Sequence, residues 1–285
     1  MAAARETRTI SSGDAELCTE SIGDPDDPTI LLLGGGSASM DWWEDDFCEL
    51  LAARGRRVIR FDYRDTGQST TYGAGAAEYT GDDFVADVIA ILDAFELPSA
   101  HLAGLSMGGA ISQVVGLLHR DRVATLTLLS TSLAVGGEGL PGMAPELEAF
   151  FGAETPDLDW GDREAAIERM VENERPFAGA ADFDEERMRS LAARVYDRSE
   201  DPASASNHFA VVDDDTHGRT LDELAGIPTL VIHGTADPMF PGHGAALAEA
   251  IPGARLLELE GVGHEYPPPR VWDEVVEALV EHTAG

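Results

Sequence analysis

The amino-acid sequence predicts an α/β protein, in which helices cover both faces of a mostly parallel sheet. Three observations lead to this prediction: short apolar runs typical of buried strands, segments with apolar residues at helical spacing, and a regular alternation of the two. Such alternation favours right-handed crossovers between parallel strands. The 285 residues are enough for one large catalytic domain, or for a core with an inserted lid.

The predicted strands begin near the N-terminus. An alternating segment from Ser11 to Ile22 is expected to form an antiparallel hairpin that precedes the parallel sheet. Six apolar runs are predicted as buried parallel strands: Thr29 to Leu33, Arg57 to Phe61, Ala100 to Leu105, Ala124 to Leu129, Pro228 to His233 and Ala254 to Leu259.

Helices are predicted between these strands, because the intervening segments repeat apolar residues at helical spacing and several carry Asp, Thr or Pro near their start. The predicted helices are Asp41 to Arg54, Thr80 to Phe95, Met107 to Arg120, Gly242 to Ile251 and Pro269 to His282.

One long stretch interrupts the alternation. From about Leu133 to His217 the chain has helical patterns and loops but no convincing buried strand. A glycine-rich start at 136–142 and a polar end at 213–218 are typical of connections. We therefore predict an α/β core of residues 1–132 and 219–285, with a mainly helical cap, or lid, inserted at 133–218.

The charge is unusual, because 53 acidic residues oppose 19 basic ones and leave a net charge of −34. Nucleic acid and anionic membranes are therefore not expected as partners. Every basic residue is Arg and none is Lys, a composition that resembles proteins of extreme halophiles. Salt would screen the self-repulsion of such a surface, so we expect salt-dependent stability. An acidic protein without salt adaptation is the alternative.

Location and cofactors are also constrained by the sequence. No apolar run approaches the roughly 18 residues that span a bilayer, and the first residues lack a secretory signal, so a soluble cytoplasmic protein is expected. Cys18 and Cys48 lack the spacing of zinc or redox motifs and are expected to be free thiols. No metal or cofactor is predicted.

A candidate nucleophile lies where a predicted strand meets a predicted helix. The sequence Gly104-Leu105-Ser106-Met107-Gly108 fits G-x-S-x-G at this junction. A sharp turn there strains the Ser106 backbone and needs small neighbours, and it directs the helix N-terminus at the reacting group. A simple Ser-Gly turn is the alternative reading.

A serine hydroxyl needs a base, and an imidazole is the usual one. His264 is the best candidate of eight histidines, because it lies in a small-residue loop after the last predicted strand. His208, His233 and His243 remain weaker candidates, and His208 is expected to line the pocket from the cap. Asp237 follows the strand that ends at His233, so the chain order is Ser, Asp, His.

An oxyanion hole requires backbone N–H groups that meet the developing charge. Met107 is predicted as one donor. Gly36 is predicted as the other, because glycines after a strand let the backbone approach a substrate closely. The same glycine run lacks the G-x-G-x-x-G and G-K-[ST] patterns of nucleotide-binding loops. Trp42, His208 and Phe209 are expected to line a substrate pocket, with packing in the core or cap as the alternative for the aromatic residues.

With these residues in place, the chain resembles the α/β-hydrolase superfamily from about Asp14 to its C-terminus. The run Val58-Ile59-Arg60-Phe61-Asp62-Tyr63-Arg64-Asp65-Thr66-Gly67-Gln68-Ser69, followed by Gly104 to Gly108, is similar to the aclacinomycin methylesterase group of carboxylic ester hydrolases, although many relatives have Gly in place of Asp65. The resemblance implies the α/β-hydrolase fold and ester hydrolysis without metal or cofactor. It also implies the triad Ser106, Asp237 and His264, with Gly36 and Met107 as oxyanion donors.

The predicted function is hydrolysis of a carboxylic ester of a small molecule, with water as co-substrate and an acyl-enzyme on Ser106. Lactone, thioester or carbon–carbon bond hydrolysis, acyl transfer and perhydrolysis on the same triad stay open. A serine nucleophile argues against dehalogenase and epoxide hydrolase chemistry, because relatives with those activities use a carboxylate. A non-catalytic ligand-binding protein of the same fold is the alternative from another class.

Overall fold

The computed structural model describes residues 4–154, 156–179, 183–211 and 218–284. It opens with an antiparallel hairpin of β1 (Arg5–Ser12) and β2 (Ala15–Ile22). The hairpin begins earlier than Ser11, where the sequence pattern placed it. Its first strand is mostly exposed, so the alternation of buried and exposed side chains that signals a strand is weak there.

The remaining strands form one sheet with this hairpin, in the order β1-β2-β4-β3-β5-β6-β7-β8. β2 pairs antiparallel with β1 and β4, and the other neighbours are parallel. The predicted α/β class with a mostly parallel sheet is thereby confirmed. The later strands are β3 (Thr29–Leu33), β4 (Arg57–Phe61), β5 (Ala100–Leu105), β6 (Val123–Leu129), β7 (Thr229–Gly234) and β8 (Arg255–Leu259).

The strand order reverses direction next to β3, because β4 lies on one side of it and β5 on the other. In open α/β sheets, ligands bind outside the carboxyl ends of the strands at such a switch point. The loop after β3 and the turn after β5 both start at this place.

One strand differs from its sequence prediction. The run Ala254 to Leu259 was expected to be a buried strand, but β8 begins at Arg255 and only Leu259 of the strand is buried. β8 pairs with β7 on one side and ends the sheet, so most of its side chains are not enclosed. The prediction of burial was therefore wrong for this strand.

The predicted helices are present and mostly shorter than predicted. Three of the predicted ends are short 3₁₀ turns instead, at Met40–Trp42, Arg120–Arg122 and Pro269–Val271. The α-helices are α1 (Asp45–Ala53), α2 (Gly81–Ala94), α3 (Met107–Leu118), α4 (Pro145–Phe151), α5 (Arg163–Glu174), α6 (Glu185–Arg198), α7 (His208–Val211), α8 (His243–Ala250) and α9 (Trp272–His282).

The sheet has an apolar core on each face. Leu31 and Leu33 of β3 belong to one core, together with side chains of α2, α3 and α8. Ile30 and Leu32 belong to the other, with side chains of α1 and α9. Because alternate residues of a strand point to opposite faces, continuous apolar runs are what this two-sided burial requires.

Between β6 and β7 the described residues contain helices α4 to α7 and no strand. Helix α6 is joined to the core by ion pairs: Arg194 and Arg198 both pair with Asp41, and Arg198 also pairs with Asp62. The limits 133 and 218 of the cap stay predictions, and residues 213–217 of its polar end lie outside the described part. Within the described part, none of the helices combines the length and the apolar character that crossing a membrane requires.

Candidate active site

Ser106 lies in the turn between β5 and α3, as the motif predicts. Its backbone has φ 52° and ψ −116°, a conformation that non-glycine residues rarely adopt. The flanking glycines are sterically required. A Cβ on Gly104 would lie 2.1 Å from the carbonyl oxygen of Gly108, and a Cβ on Gly108 would lie 2.5 Å from the carbonyl oxygens of Leu33 and Gly34. Local strain thus presents the hydroxyl at the edge of the sheet.

The structure brings the three predicted triad residues into one hydrogen-bonded chain. His264 Nε2 lies 3.0 Å from Ser106 Oγ, and His264 Nδ1 lies 3.0 Å from Asp237 Oδ2. This is the arrangement of nucleophile, base and orienting acid that activates a hydroxyl. The three side chains come from three loops at the carboxyl edge of the sheet, which is why only the folded chain unites them.

Asp237 is buried but held in its ionised form. Its Oδ1 accepts hydrogen bonds from the backbone N–H groups of Met239 at 2.8 Å and Phe240 at 2.9 Å. Burial, the largest influence, would raise the pKa of Asp237, but the hydrogen bond and charge of His264 and the Phe240 N–H outweigh it, so the pKa is lowered. An ionised Asp237 fixes the Nδ1–H tautomer of His264.

Two other histidines lie near the triad. His233 Nε2 donates to the carbonyl of Phe240 at 2.9 Å and lies 3.5 Å from Asp237 Oδ2, and burial lowers the pKa of His233. His243 Nε2 donates to the carbonyl of Pro141 at 2.8 Å, and its Nδ1 lies 2.7 Å from Ser132 Oγ. Neither ring contacts Ser106, so we assign both histidines a structural role.

The two predicted oxyanion donors, Met107 and Gly36, lie close to each other. Met107 begins α3, so its N–H has no partner within the helix. Gly36 follows β3, and a Cβ on it would lie 4.0 Å from Met107 Sδ. Within the described ranges no hydrogen-bond acceptor is found for either N–H. Both are thus available to a ligand, and their role stays a prediction.

A cavity of about 450 Å³ opens beside Ser106, between α2, α3 and the segment after β6. Most of its lining is apolar, which suits a small apolar acyl or alcohol group. Asp82 is the one charged side chain of the lining, as far as the described residues show. The lining consists of Gly81, Asp82, Phe84, Val85, Ser106, Met107, Ala110, Ile111, Val114, Thr131, Ser132, Leu133, Ala134, Phe209, Met239 and Phe240.

Of the three predicted pocket residues, only Phe209 lines this cavity. Its side chain is 72% exposed at the rim, and its ring lies 3.4 Å from where a Cβ on Gly36 would be. Trp42 is buried instead against Tyr266, with ring centroids 5.9 Å apart. His208 is fully buried and bonded to backbone on both ring nitrogens. The placement of Trp42 and His208 corrects the expectation that they face the pocket.

Sequence reasoning missed Tyr266, which the structure places beside the candidate site. Its hydroxyl accepts a hydrogen bond from the N–H of Gly35 at 2.7 Å. Tyr266 follows His264 by two residues, so position in the same loop was a signal that could have identified it. No cluster of three or more metal-ligating side chains occurs among the described residues.

Comparison with known proteins gives a consistent picture. The model of a family described as the alpha/beta hydrolase fold matches residues 28–266. Rhodomycin D methylesterase DauP of Streptomyces sp. (strain C5) is 34% identical over 97% of this chain and 98% of its own length. Rhodomycin D methylesterase DnrP of Streptomyces peucetius is 33% identical over the same shares.

Solved structures agree in fold. Esterase RhEst1 from Rhodococcus sp. ECU1013 superposes with a TM-score of 0.74 and 23% identity, covering 96% of this chain and 98% of that chain. The meta-cleavage product hydrolase CumD from Pseudomonas fluorescens IP01 has a TM-score of 0.74 and 22% identity, covering 97% of each chain. At this identity the likeness concerns the fold alone.

Proposed function

The chain belongs to the α/β-hydrolase fold family, and on this basis we propose that it hydrolyses a carboxylic ester of a small molecule through an acyl-enzyme on Ser106. The observation that carries the proposal is the hydrogen-bonded chain from Ser106 through His264 to Asp237. That chain lies at a strained turn, beside two N–H groups that have no acceptor among the described residues and an apolar cavity of about 450 Å³. Together these provide a nucleophile, a base, an oxyanion site and room for substrate.

In the first half-reaction, His264 Nε2 takes the proton of Ser106 as Oγ attacks the ester carbon. The carbonyl oxygen becomes an oxyanion, and the N–H groups of Gly36 and Met107 donate to it. The N-terminus of α3 adds a favourable dipole at the same place. When the tetrahedral intermediate collapses, the alcohol leaves with the proton that His264 held.

In the second half-reaction, His264 removes a proton from water, which attacks the acyl carbon. The acid product leaves as Ser106 regains its proton. Asp237 stays ionised throughout and stabilises the imidazolium that forms twice in each cycle. Two backbone N–H groups that bind its other oxygen keep the carboxylate in place.

The cavity lining supports an uncharged substrate. Asp82 is the charged member of the described lining, and the chain carries a net charge of −34. An anionic acyl group would meet no cation among the described lining residues and would enter against the field of the whole protein. The likeness to the rhodomycin D methylesterases makes an uncharged methyl ester the first candidate.

The same triad and cavity lining bear on the alternative functions. Hydrolysis of lactones and thioesters would use the same triad and oxyanion donors, so only an assay distinguishes these substrates from esters. Carbon–carbon hydrolysis, perhydrolysis and acyl transfer also use the same triad. A dienoate, such as the one named for the hydrolase of Rhodococcus sp. strain RHA1, is anionic, and the cavity offers no Arg to bind it within the described lining. A non-catalytic binding protein would have no use for the strained serine or its hydrogen-bonded base.

We further infer a cytoplasmic enzyme adapted to high salt, with a small-molecule ester and water as its partners and with neither nucleic acid nor membrane among them. The absence of Lys and the excess of acidic residues support the salt adaptation.

The test is hydrolysis of p-nitrophenyl esters of increasing acyl length in about 2 M KCl, which screens the surface charge. Methyl esters of aromatic acids follow in the same buffer, and Ser106→Ala is compared with Ser190→Ala. Ser190 is an exposed serine whose hydroxyl donates to the carbonyl of Glu186 in α6, so its loss should be silent. We expect cleavage by the wild type and Ser190→Ala and none above background by Ser106→Ala. Wild-type turnover in clean Ser106→Ala protein would contradict the proposal.

A further inference from the structure

Several polar backbone groups of the loop after β3 are hydrogen-bonded to side chains from distant segments. The carbonyl of Gly34 accepts from the Tyr63 hydroxyl at 3.2 Å, and the N–H of Gly35 donates to the Tyr266 hydroxyl at 2.7 Å. The N–H of Ser37 donates to His208 Nδ1 at 2.9 Å. The N–H of Gly36 between them has no acceptor within the described ranges. Bonds on both sides of one free donor fix the direction of that donor.

We propose that Tyr266 and His208 are positioning residues that direct the Gly36 N–H at the oxyanion, and that the cap segment bearing His208 thereby contributes to transition-state stabilisation. This inference rests on the proposed esterase function and adds residues that neither the triad nor the oxyanion motif includes.

The backbone of Ser37 supports the need for such positioning. Its φ is 64°, in the left-handed region that a serine rarely occupies. A residue stays in this region only where surrounding contacts over-determine its conformation. The His208 ring accepts the N–H of Ser37, and the Ser37 hydroxyl donates to the carbonyl of Ala205 at 2.8 Å. Both contacts come from the segment that follows α6, so the cap side stabilises the strained conformation.

His208 is built to accept a hydrogen bond. Its Nε2 lies 2.7 Å from the carbonyl of Arg64, which can only accept, so Nε2 carries the proton and Nδ1 is free to accept. The ring is fully buried and packs edge-on against Tyr63 and Phe84, with centroids 5.7 and 5.2 Å away. Burial lowers the pKa of His208 and keeps the ring neutral. The tautomer that binds Ser37 is therefore the one that the surroundings impose.

Tyr266 fixes the other side of Gly36. Its ring lies between two tryptophans, stacked on Trp42 at 5.9 Å and edge-on to Trp43 at 4.9 Å. Since Tyr266 is two residues from His264, the loop that carries the base also positions the oxyanion loop. Trp42, which was expected in the pocket, acts here as a support for Tyr266.

The inference is tested with Tyr266→Phe, which removes one hydroxyl and keeps the ring, and with His208→Phe, which removes the acceptor. Losing the direction of one oxyanion donor should lower kcat by about 10- to 100-fold, with KM changed by less than about 3-fold. His208→Asn retains an acceptor and should recover part of the loss. Tyr196→Phe is the matched control, because it removes a tyrosine hydroxyl that bonds the carbonyl of Trp160, away from the loop.

A second readout separates positioning from general damage. An aryl trifluoromethyl ketone forms a hemiketal oxyanion on the nucleophile, so its Ki should rise by the same factor by which kcat/KM falls. Thermal midpoints of all variants are measured beside it. Wild-type kcat in Tyr266→Phe and His208→Phe would overturn the inference. The inference would also be overturned if the loss of kcat paralleled a fall in the thermal midpoint while the Ki of the ketone stayed unchanged.

The rate of covalent labelling by a fluorophosphonate keeps the two proposals distinguishable. Labelling requires the nucleophile and the oxyanion donors but no ester turnover. If the wild type is labelled but cleaves no ester, the proposed esterase function fails, and slower labelling of Tyr266→Phe and His208→Phe still supports the inference. Equal labelling rates in all variants would overturn it.

Discussion

Replacing Arg198 with Met should lower the free energy of unfolding by about 3–5 kcal/mol, because it leaves buried carboxylates without their cation. Arg198 reaches from α6 to the core, where its Nε lies 2.6 Å from Asp41 Oδ2 and its Nη2 contacts Asp62 Oδ1. The side chains of Asp41 and Asp62 are 1% and 0% exposed. Neither carboxylate can turn to water when the guanidinium is removed.

The two acids do not contribute equally to this loss. Asp41 keeps an ion pair with Arg194 at 2.8 Å. Within the described ranges, the partners that Asp62 keeps are the backbone N–H groups of Met40 at 2.8 Å and Gln68 at 2.9 Å. Most of the loss should therefore come from Asp62, and these two N–H bonds favour the lower end of the range, about 3 kcal/mol.

The loss should depend on pH in a definite direction. Burial, the largest influence, already raises the pKa of Asp62 although Arg198 opposes it. Without Arg198 the pKa rises further above its unfolded value. The folded variant then binds a proton more strongly than the unfolded chain, so stability is lost as pH rises. Arg198→Met should be less destabilised at pH 5 than at pH 8.

The assay is equilibrium unfolding in urea at both pH values and constant KCl. Arg163→Met is the matched control, because Arg163 also lies in the segment between β6 and β7 and forms an ion pair, with Asp197, in which both partners are exposed. The free energy of unfolding of Arg163→Met should fall little at either pH. The reasoning is refuted if Arg198→Met loses no more than Arg163→Met, or if its loss grows as the pH falls.

Three further predictions concern the site and the surface. Asp237→Asn should lower kcat by about 10⁴-fold with the fold intact, because the tautomer of His264 is no longer fixed; kinetics with circular dichroism check this. Gly108→Ala should abolish activity and soluble yield, since its Cβ would lie 2.5 Å from backbone oxygen, whereas Gly142→Ala, with open space around it, should retain both. Unfolding midpoints should rise between about 0.1 and 2 M KCl, and a flat or falling curve would contradict salt adaptation.

The sheet and its site were predictable from sequence for a physical reason. Strands buried on both faces must be continuously apolar, so β3 to β7 can be identified in the sequence as apolar runs. The turn at Ser106 needs glycine where backbones approach, so the motif identifies it. Ser106, Asp237 and His264 each follow the carboxyl end of a strand, β5, β7 and β8 respectively. Their order along the chain is therefore the order of these strands.

What the sequence did not predict depends on contacts between distant segments. The exposure of β8 follows from its place at the edge of the sheet, which no local pattern encodes. His208 was placed in the pocket because it lies in the predicted cap, yet its ring is fully buried and bonded to the backbone of Arg64 and Ser37. The support of Gly35 by Tyr266 spans 231 positions of the chain. Such contacts between distant residues are visible only in the folded structure.

The most direct test of the account is the mass of the intact protein after reaction with a fluorophosphonate in about 2 M KCl, followed by peptide mapping. The account predicts a single adduct on the peptide that contains Ser106, absent from Ser106→Ala and formed far more slowly by His264→Ala. An adduct on another residue, or an equal labelling rate when His264 is replaced, would contradict the assignment of Ser106 as the activated nucleophile.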